Sequence, residues 1–565
     1  MKENTEECTG FKALYLAALD SNVSLITGVP GYPINSLMKL FLDKTSRERV
    51  VKSRTEILRA DHSDKIRISA YSARWLTNEK VAFEIALGAS ISGKRALVIV
   101  KHVGMNILAD PLITSVTHTI GAGLVIIVGD DPGAKGSQNE QDSRWYGRIA
   151  EIAVFDPNDP DTAYRALRRA YELSEKTKTP IMLRVTQSFG KSGGKIKRLP
   201  RSSAIPPKFD RSIWKSRMAV KHQLFHSRVY PLLEAEAENT DMNRTILMPE
   251  EETEYNLGSR RIGIISSGFT SSIVEKILKK RDIYCEISHL SLNIVNPLPI
   301  RKIGTFLRNN RILLVAEESE PFIEEQIRIA GRVCGKKTGH LPYGQVMPED
   351  IEFALEHIDE EEVSKFTDTA FSKLSTEGRG IICNNCPYLP LYYFLSTINV
   401  WIAGDMGCSV RSASEPLAAV DVSFALGSAI SVACGFEKKG IAVIGDFALA
   451  HSGILGLLNA VTFGCDMLVL ILQNDVAAMT GGQEAPDIRK VVETITPDVS
   501  VFNIDEGKGI EKIETEKEIG YKTKEQILNP VLSELIQTKL ALPGISVIYL
   551  KGKCRKYGSV AKNSE

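Results

Sequence analysis

Aliphatic runs of strand length, each closed by glycine, aspartate or a turn, recur along this chain with helix-length segments between them. In the first 200 residues these are SLITGVP (24–30), RALVIVKHVG (95–104) and LVIIVGD (124–130). A run that is apolar at every position suits a strand covered on both faces, and alternation with helices makes its sheet parallel and doubly wound. NEKVAFEIALGASIS (78–92) and TAYRALRRAYELSEK (162–176) carry the helical spacing between those strands. The pattern returns in VWIAGD (400–405), IAVIGD (441–446), MLVLILQN (467–474) and GISVIYLKG (544–552). DVSFALGSAISVACGF (421–436) and HSGILGLLNAVTFG (451–464) read as its helices, rich in small residues. A shorter set, RIGIISSG (261–268), CEISHLSLN (285–293) and RILLVAEES (311–319), lies between the two.

The expected fold class is therefore α/β: two doubly wound parallel-sheet domains with a smaller α/β domain between them in the chain. The boundaries fall where periodicity lapses. They give a first domain over 1–207, a polar helical linker over 208–258 with an acidic patch at Glu250–Glu254, and a middle domain over 259–345. A connector over 346–379 and a last domain over 380–565 follow, with the charged stretch 503–526 as an exposed excursion.

Composition excludes little else. A net charge of +1 gives no long-range pull toward nucleic acid or a membrane surface. The N-terminus lacks the basic-then-apolar order of a signal peptide, and the apolar runs are too short to span a bilayer, so a cytoplasmic protein is expected. Nine cysteines, an odd number gathered toward the C-terminal third, speak for metal ligation over a secreted disulfide framework.

Two strand tips carry the first chemical signal. IAVIGD ends in Asp446 and MLVLILQN in Asn474, 28 residues on, in a strand–helix–strand order. A carboxylate, an amide oxygen and the backbone carbonyl of Val476 are hard ligands that suit Mg2+, with diphosphate and water completing the shell. Ligands of such sheets bind at the carboxyl ends of the strands. Gly445, Gly404, Asp405 and His451 lie at the same predicted edge and are expected to contact the cofactor. A second signal is Glu79, which opens a predicted helix in the domain that lacks the diphosphate loop. Thiamine diphosphate needs one such acid, to control the tautomer of its aminopyrimidine ring. The ordinary explanation, a first-turn glutamate favoured by the helix dipole, accounts for Glu79 alone but not for its company.

Cys383 and Cys386 form a C-x-x-C in ICNNCPY, Cys408 follows in GDMGC, and Cys554 comes in YLKGKC. Two thiolates on one turn and two from strand ends can close a four-thiolate iron–sulfur site. Cys434 and Cys465 sit in apolar helical context and are read as packing residues.

These residues also carry a resemblance. LTNEKVAFEIALGAS (76–90), KHVGMN, GDDPGAKGSQNEQDSR, CNNCPY, GDMGCS, HSGILGLLNAV and AAMTGGQ, in this order over roughly residues 10–555, resemble the alpha subunit of indolepyruvate ferredoxin oxidoreductase, of the thiamine diphosphate-dependent 2-oxoacid:ferredoxin oxidoreductases. The resemblance implies pyrimidine-binding, transketolase C-terminal-like and diphosphate-binding domains in that order. It implies oxidative decarboxylation of a 2-oxoacid such as indolepyruvate, a smaller beta-type subunit in a dimer of heterodimers, coenzyme A as acyl acceptor and ferredoxin as electron sink. Residue by residue, Glu79 matches the activating glutamate, and Asp446, Asn474 and Val476 match the metal loop. Cys383, Cys386, Cys408 and Cys554 match the ligands of one [4Fe-4S] cluster.

The chain also departs from that pattern. The family tends to continue into a ferredoxin-like tail, whereas this sequence ends in SVAKNSE, so electrons are expected to leave from one cluster. G-x-P-G-T-P-S becomes GVPGYPI, which puts Tyr32, flanked by Pro30 and Gly31, where a threonine meets the substrate carboxylate. With His102 and Trp75, these are the expected substrate contacts. CPGCPH becomes CNNCPY and MTGHQ becomes MTGGQ, each losing a histidine. Non-oxidative decarboxylation or acyl transfer, and a catalytically inactive assembly subunit, stay open on the residues.

Overall fold

The computed structural model describes residues 5–48, 71–202, 207–246, 261–283, 287–328, 332–363, 382–504 and 528–557. They fall into two compact units, Met1–Leu374 and Ser375–Glu565. The acidic patch at Glu250–Glu254 and, from residue 505, the excursion expected over 503–526 lie outside the described residues.

The first unit opens with β1 (Thr5–Thr9), paired antiparallel with β8 (Gly193–Lys197). Its main sheet has seven strands: β2 (Leu25–Gly28), β3 (Ser72–Trp75), β4 (Ala96–Lys101), β5 (Leu124–Asp130), β6 (Val154–Phe155), β7 (Ile181–Thr186) and β12 (Ile294–Asn296). They run in the order β12-β6-β7-β5-β4-β2-β3, parallel except for β12. The period of two along a strand sends Leu97, Ile99, Val125 and Ile127 into one core and Val98, Val100, Ile126 and Val128 into another. Both faces are thus covered, as the uninterrupted apolar runs require.

A five-stranded sheet follows in the order β14-β13-β10-β11-β9, built from β9 (Arg244–Ile246), β10 (Ile262–Ser267), β11 (Ser288–Leu292), β13 (Ile312–Ala316) and β14 (Arg332–Cys334). Ile265, Leu290, Leu313 and Val315 of this sheet join the core that covers one face of the seven-stranded sheet, so the two sheets share hydrophobic packing. The segment read as a purely helical linker holds the helices Arg211–Lys215, Met218–Leu224 and Tyr230–Asn239, but it also supplies β9. An edge strand pairs through its backbone and needs no apolar signature, which is why a polar segment hid it.

A buried ionic cluster joins the two sheets. Arg144 pairs with Asp142 at 2.5 Å and Glu317 at 2.8 Å, and Arg184 pairs with Asp130 at 2.6 Å and Asp156 at 3.3 Å. Acids outnumber cations here. Burial pushes the Glu318 carboxyl up to about 7, although Arg184 opposes it, and Glu318 Oε2 has no hydrogen-bond partner. A carboxyl whose folded pKa lies above its unfolded value weakens the fold as pH rises from about 4.5 through 7, because the folded state must then hold a buried charge. Glu318→Gln is therefore expected to stabilise the protein by about 3 kcal/mol at pH 8 and by little at pH 4. Denaturant unfolding at both pH values checks this, and an equal effect at the two contradicts it.

The second unit holds one six-stranded, all-parallel sheet in the order β16-β15-β17-β18-β22-β21. Its strands are β15 (Ile402–Gly404), β16 (Val422–Ser423), β17 (Gly440–Gly445), β18 (Met467–Gln473), β21 (Val499–Asn503) and β22 (Ile545–Lys551). The helix expected over 421–436 is shorter. Val422–Ser423 is a strand, Gly427 takes a φ of +83°, and only Ala429–Cys434 is helical. Glycine reaches that left-handed conformation without strain, so it ends the extended chain just before the helix. Cys434 and Cys465, read as packing residues, are instead joined in a disulfide with their Cα atoms 5.5 Å apart. The stretch Asp446–Phe463 is long and apolar enough on composition to cross a membrane, and half of it is buried inside this unit.

Candidate active site

In the first unit the carboxyl edge of the seven-stranded sheet gathers most of the residues singled out there. Glu79 opens the Glu79–Ile91 helix, whose N-cap Asn78 accepts hydrogen bonds from the Lys80 and Val81 N–H groups at 3.0 and 3.4 Å. Thr27 Oγ1 donates to Ala82 O at 3.0 Å and ties that helix to β2. Glu79 is buried, and the Gly104 backbone passes so close that a Cβ there would lie 2.8 Å from Glu79 Oε1. The glycine of KHVGMN thus leaves the carboxyl its place. Lys101 ends β4 nearby and donates to Gln138 Oε1 at 3.0 Å. Burial holds its ammonium below the ordinary lysine range, against the opposing pull of Glu79 and Asp131.

The expected substrate contacts separate. Tyr32 lines a cleft of about 230 Å³ together with Asp131, Gln187, Glu318 and Gln345. Burial, with Asp131 nearby, raises its hydroxyl pKa. Pro30 and Gly31 are buried and do not line that cleft; a Cβ at Gly31 would lie 2.7 Å from Lys101 Cδ, so this glycine makes room for the lysine stem. His102 is fully buried, with Nδ1 3.3 Å from Gly129 O and Nε2 3.1 Å from Asn139 O. It braces the loop after β5 and does not face the cleft, because its first-turn position on the His102–His118 helix turns it inward. Trp75 packs against the core beside Gly28. Sequence reasoning missed Asp131, Gln187, Glu318 and Gln345. Asp131 and Glu318 each follow a parallel strand, β5 and β13, and that strand-tip position was the available signal.

In the second unit strand order does the assembling. β17 and β18 are neighbours, so Asp446 and Asn474 meet at their tips. Asp446 Oδ2 accepts from the Asn474 N–H at 2.9 Å and the Asp475 N–H at 2.6 Å, and Oδ1 accepts from the Phe447 N–H at 2.8 Å. Asn474 Oδ1 accepts from the Val476 N–H at 3.0 Å, which shapes the turn into β19 (Val476–Ala477), paired antiparallel with β20 (Gln483–Glu484). Burial pushes the Asp446 carboxyl up to about 7, and Asp475 adds to the rise. Gln473 Oε1, in the same small cleft, is buried without a hydrogen-bond partner. A buried carboxyl, a second acid and a lone amide oxygen at one point fit a hard divalent cation.

Asp405 follows β15 on the same edge. It accepts from Ser409 Oγ at 2.6 Å, and burial pushes it up to about 6. Gly404 ends β15, and Gly445 ends β17 with nothing within 4 Å of where its Cβ would lie. His451 sits in a π-helical turn, Leu449–Gly453, with Nδ1 3.0 Å from Ser452 Oγ. Such turns often mark functional positions.

The four cysteines surround this edge. Cys408 follows β15 and Cys554 follows β22, the strands that flank the β17–β18 pair. Tyr388 Oη donates to Leu550 O at 3.1 Å and Gly552 O at 3.0 Å, which holds the CNNCPY turn against the end of β22. Burial, together with the nearby Cys383 and Cys554, pushes Cys386 up to about 11; burial, together with Cys386, Asp405 and Cys554, pushes Cys408 up to about 12. The thiols thus share one neighbourhood. Among the described residues no three Cys, His, Asp or Glu side chains close to metal-binding geometry.

Residues 405–538 match the family "Thiamine pyrophosphate enzyme, C-terminal TPP binding domain". The chain is 28% identical to indolepyruvate oxidoreductase subunit IorA of Archaeoglobus fulgidus over 589 residues, covering 98% of this chain and 87% of that one. It is 26% identical to the subunit of the same name from Methanothermobacter thermautotrophicus over 573 residues, covering 96% and 86%. Among solved structures, 2-oxoglutarate:ferredoxin oxidoreductase from Magnetococcus marinus aligns with a TM-score of 0.48 and 13% identity, over 63% of this chain and 65% of that one. The parallel sheet that brings Asp446 and Asn474 together therefore belongs to a thiamine diphosphate-binding type of domain, and the chain is, along nearly its whole length, a relative of the indolepyruvate oxidoreductase subunits named IorA.

Proposed function

We propose that the chain is the larger subunit of a thiamine diphosphate-dependent oxidoreductase. On this reading it decarboxylates an aryl 2-oxoacid such as indolepyruvate to the acyl-CoA and passes the electrons through one [4Fe-4S] cluster to ferredoxin. The observation that carries the reading is the edge of the six-stranded sheet, where β17 and β18, followed by Asp446 and Asn474, are flanked by β15 and β22, the strands that Cys408 and Cys554 follow. Thiamine diphosphate, when bound, supplies a carbon nucleophile able to accept the electron pair released with carbon dioxide. Asp446, Asn474 and the Val476 carbonyl would hold Mg2+ and, through it, the diphosphate. Gly404, Asp405, Gly445 and His451 would border that diphosphate. Glu79 would hold the proton exchanged with the aminopyrimidine ring, and Tyr32 would face the substrate. Burial holds the Cys386 and Cys408 thiols protonated, so cluster binding would have to release those protons. A smaller beta-type subunit, coenzyme A and ferredoxin are the partners this reading requires.

Anaerobic purification with the native partner, followed by iron, sulfide and thiamine analysis, tests it. The expected yield is about four iron atoms per chain, lost in Cys408→Ser together with ferredoxin reduction while carbon dioxide release persists. Unchanged iron in that variant removes Cys408 from the ligand set. Iron-free protein that still releases carbon dioxide returns the non-oxidative reading.

A further inference from the structure

The cleft beside Tyr32 has a charge pattern that the proposed chemistry does not use. Its inner wall carries two buried acids, Asp131 and Glu318, at 3% and 2% exposure. Asp131 Oδ2 accepts the Gly136 N–H at 2.8 Å, whereas Glu318 Oε2 has no partner. Gln187 Oε1, on the same wall, is likewise buried and unpartnered. The cations behind Glu318 are engaged elsewhere: Arg184 by Asp130 and Asp156, and Lys336 by the Pro342 carbonyl. The lining also includes two exposed lysines, Lys135 and Lys191. Buried acceptors without donors are the exception in native proteins, and these two line one cleft, where a ligand can supply the donor.

We propose that this cleft binds a free α-amino acid, its ammonium on Asp131, Glu318 and Gln187 and its carboxylate toward Lys135 and Lys191. Acid within and ammonium without is the complement of a zwitterion. Tyr32 and Pro132 give the amino acid side chain an aromatic and an apolar surface. The cleft's volume, about 230 Å³, limits the ligand to a small molecule such as a single amino acid. The wall also discriminates. A 2-oxoacid differs from its amino acid by a keto oxygen in place of the ammonium, and that oxygen is an acceptor turned toward acceptors. The cleft therefore favours the amino acid over the 2-oxoacid of the same carbon skeleton. Because Tyr32 borders it, an amino acid held there can govern entry to the neighbouring carboxyl edge. The inference does not require the activity proposed above.

Calorimetric titration of the full chain, without added thiamine diphosphate, tests it with phenylalanine, phenethylamine and phenylpyruvate as probes. Phenylalanine is expected to bind at least about 10-fold more tightly than either of the others, since each of those lacks one charged contact. Glu318→Gln and the surface double variant Lys135→Ala/Lys191→Ala are each expected to weaken phenylalanine by about 10-fold or more. The surface pair lies outside the core, so it keeps the test open if the buried variant misfolds. Phenethylamine binding as tightly as phenylalanine overturns the proposal, as does phenylpyruvate doing so, or no phenylalanine binding up to about 10 mM.

Discussion

Glu79→Gln is expected to lower the rate of 2-oxoacid decarboxylation by about 10²–10⁴-fold while thiamine diphosphate binds within a few-fold of its normal affinity. Glutamine has nearly the same shape as glutamate, so it keeps the place that Gly104 leaves open and its position behind the Asn78 N-cap. What it loses is the exchangeable proton. Loss of a first-turn carboxylate removes about 0.5 kcal/mol of helix-dipole stabilisation, far too little to unfold the domain. A large kinetic loss in a folded, cofactor-binding variant therefore reports on proton chemistry. Steady-state rates and quenching of intrinsic fluorescence by added thiamine diphosphate measure the two quantities separately. A variant with full activity would sink the role assigned to Glu79.

The second large effect is expected at Asp446. Asp446→Ala removes the proposed metal ligand and also strands the N–H groups of Asn474, Asp475 and Phe447, which the carboxylate holds at 2.9, 2.6 and 2.8 Å. Each stranded buried donor costs about 1–3 kcal/mol, so the turn that presents Asn474 and Val476 should loosen. Asp446→Asn separates the losses in part: its amide oxygen still accepts from the Asn474 and Asp475 N–H groups, its NH2 cannot accept from the Phe447 N–H, and it carries no charge. Both variants are expected to lose magnesium-dependent thiamine binding by at least about 100-fold, since removing an outer partner of a ligand already costs 10- to 100-fold. The alanine variant, which strands all three N–H groups, should show the larger drop in melting temperature. Thiamine affinity at fixed Mg2+ and thermal unfolding check the pair, and an alanine variant that binds thiamine normally refutes the assignment.

Much of this was legible in one dimension. The apolar runs at 124–130, 441–446 and 467–474 match β5, β17 and β18 within a residue. The residues at their tips followed, because a run covered on both faces has no other place to put a polar group than its end. Other elements hid. β9 is polar and β12 is three residues long, and each earns its place only by pairing with a strand far away in sequence. The run 421–436 looked helical by composition until Gly427 turned the backbone. His102 looked like a pocket residue because its motif is polar, yet both ring nitrogens lie against backbone carbonyls in the interior.

The sequence by itself determined the α/β class, the acid at the head of the Glu79 helix and the oxygen-bearing side chains at two strand tips. These depend on periodicity and on residues close together in the chain. Only the tertiary structure decided that β15 and β22, the strands that Cys408 and Cys554 follow, flank the β17–β18 pair that ends at Asp446 and Asn474. Only it brought Glu318 and Asp131 to the wall of one cleft. Strand order is set by pairing between distant segments and by packing on both faces of a sheet, and neither leaves a mark within any one stretch of residues.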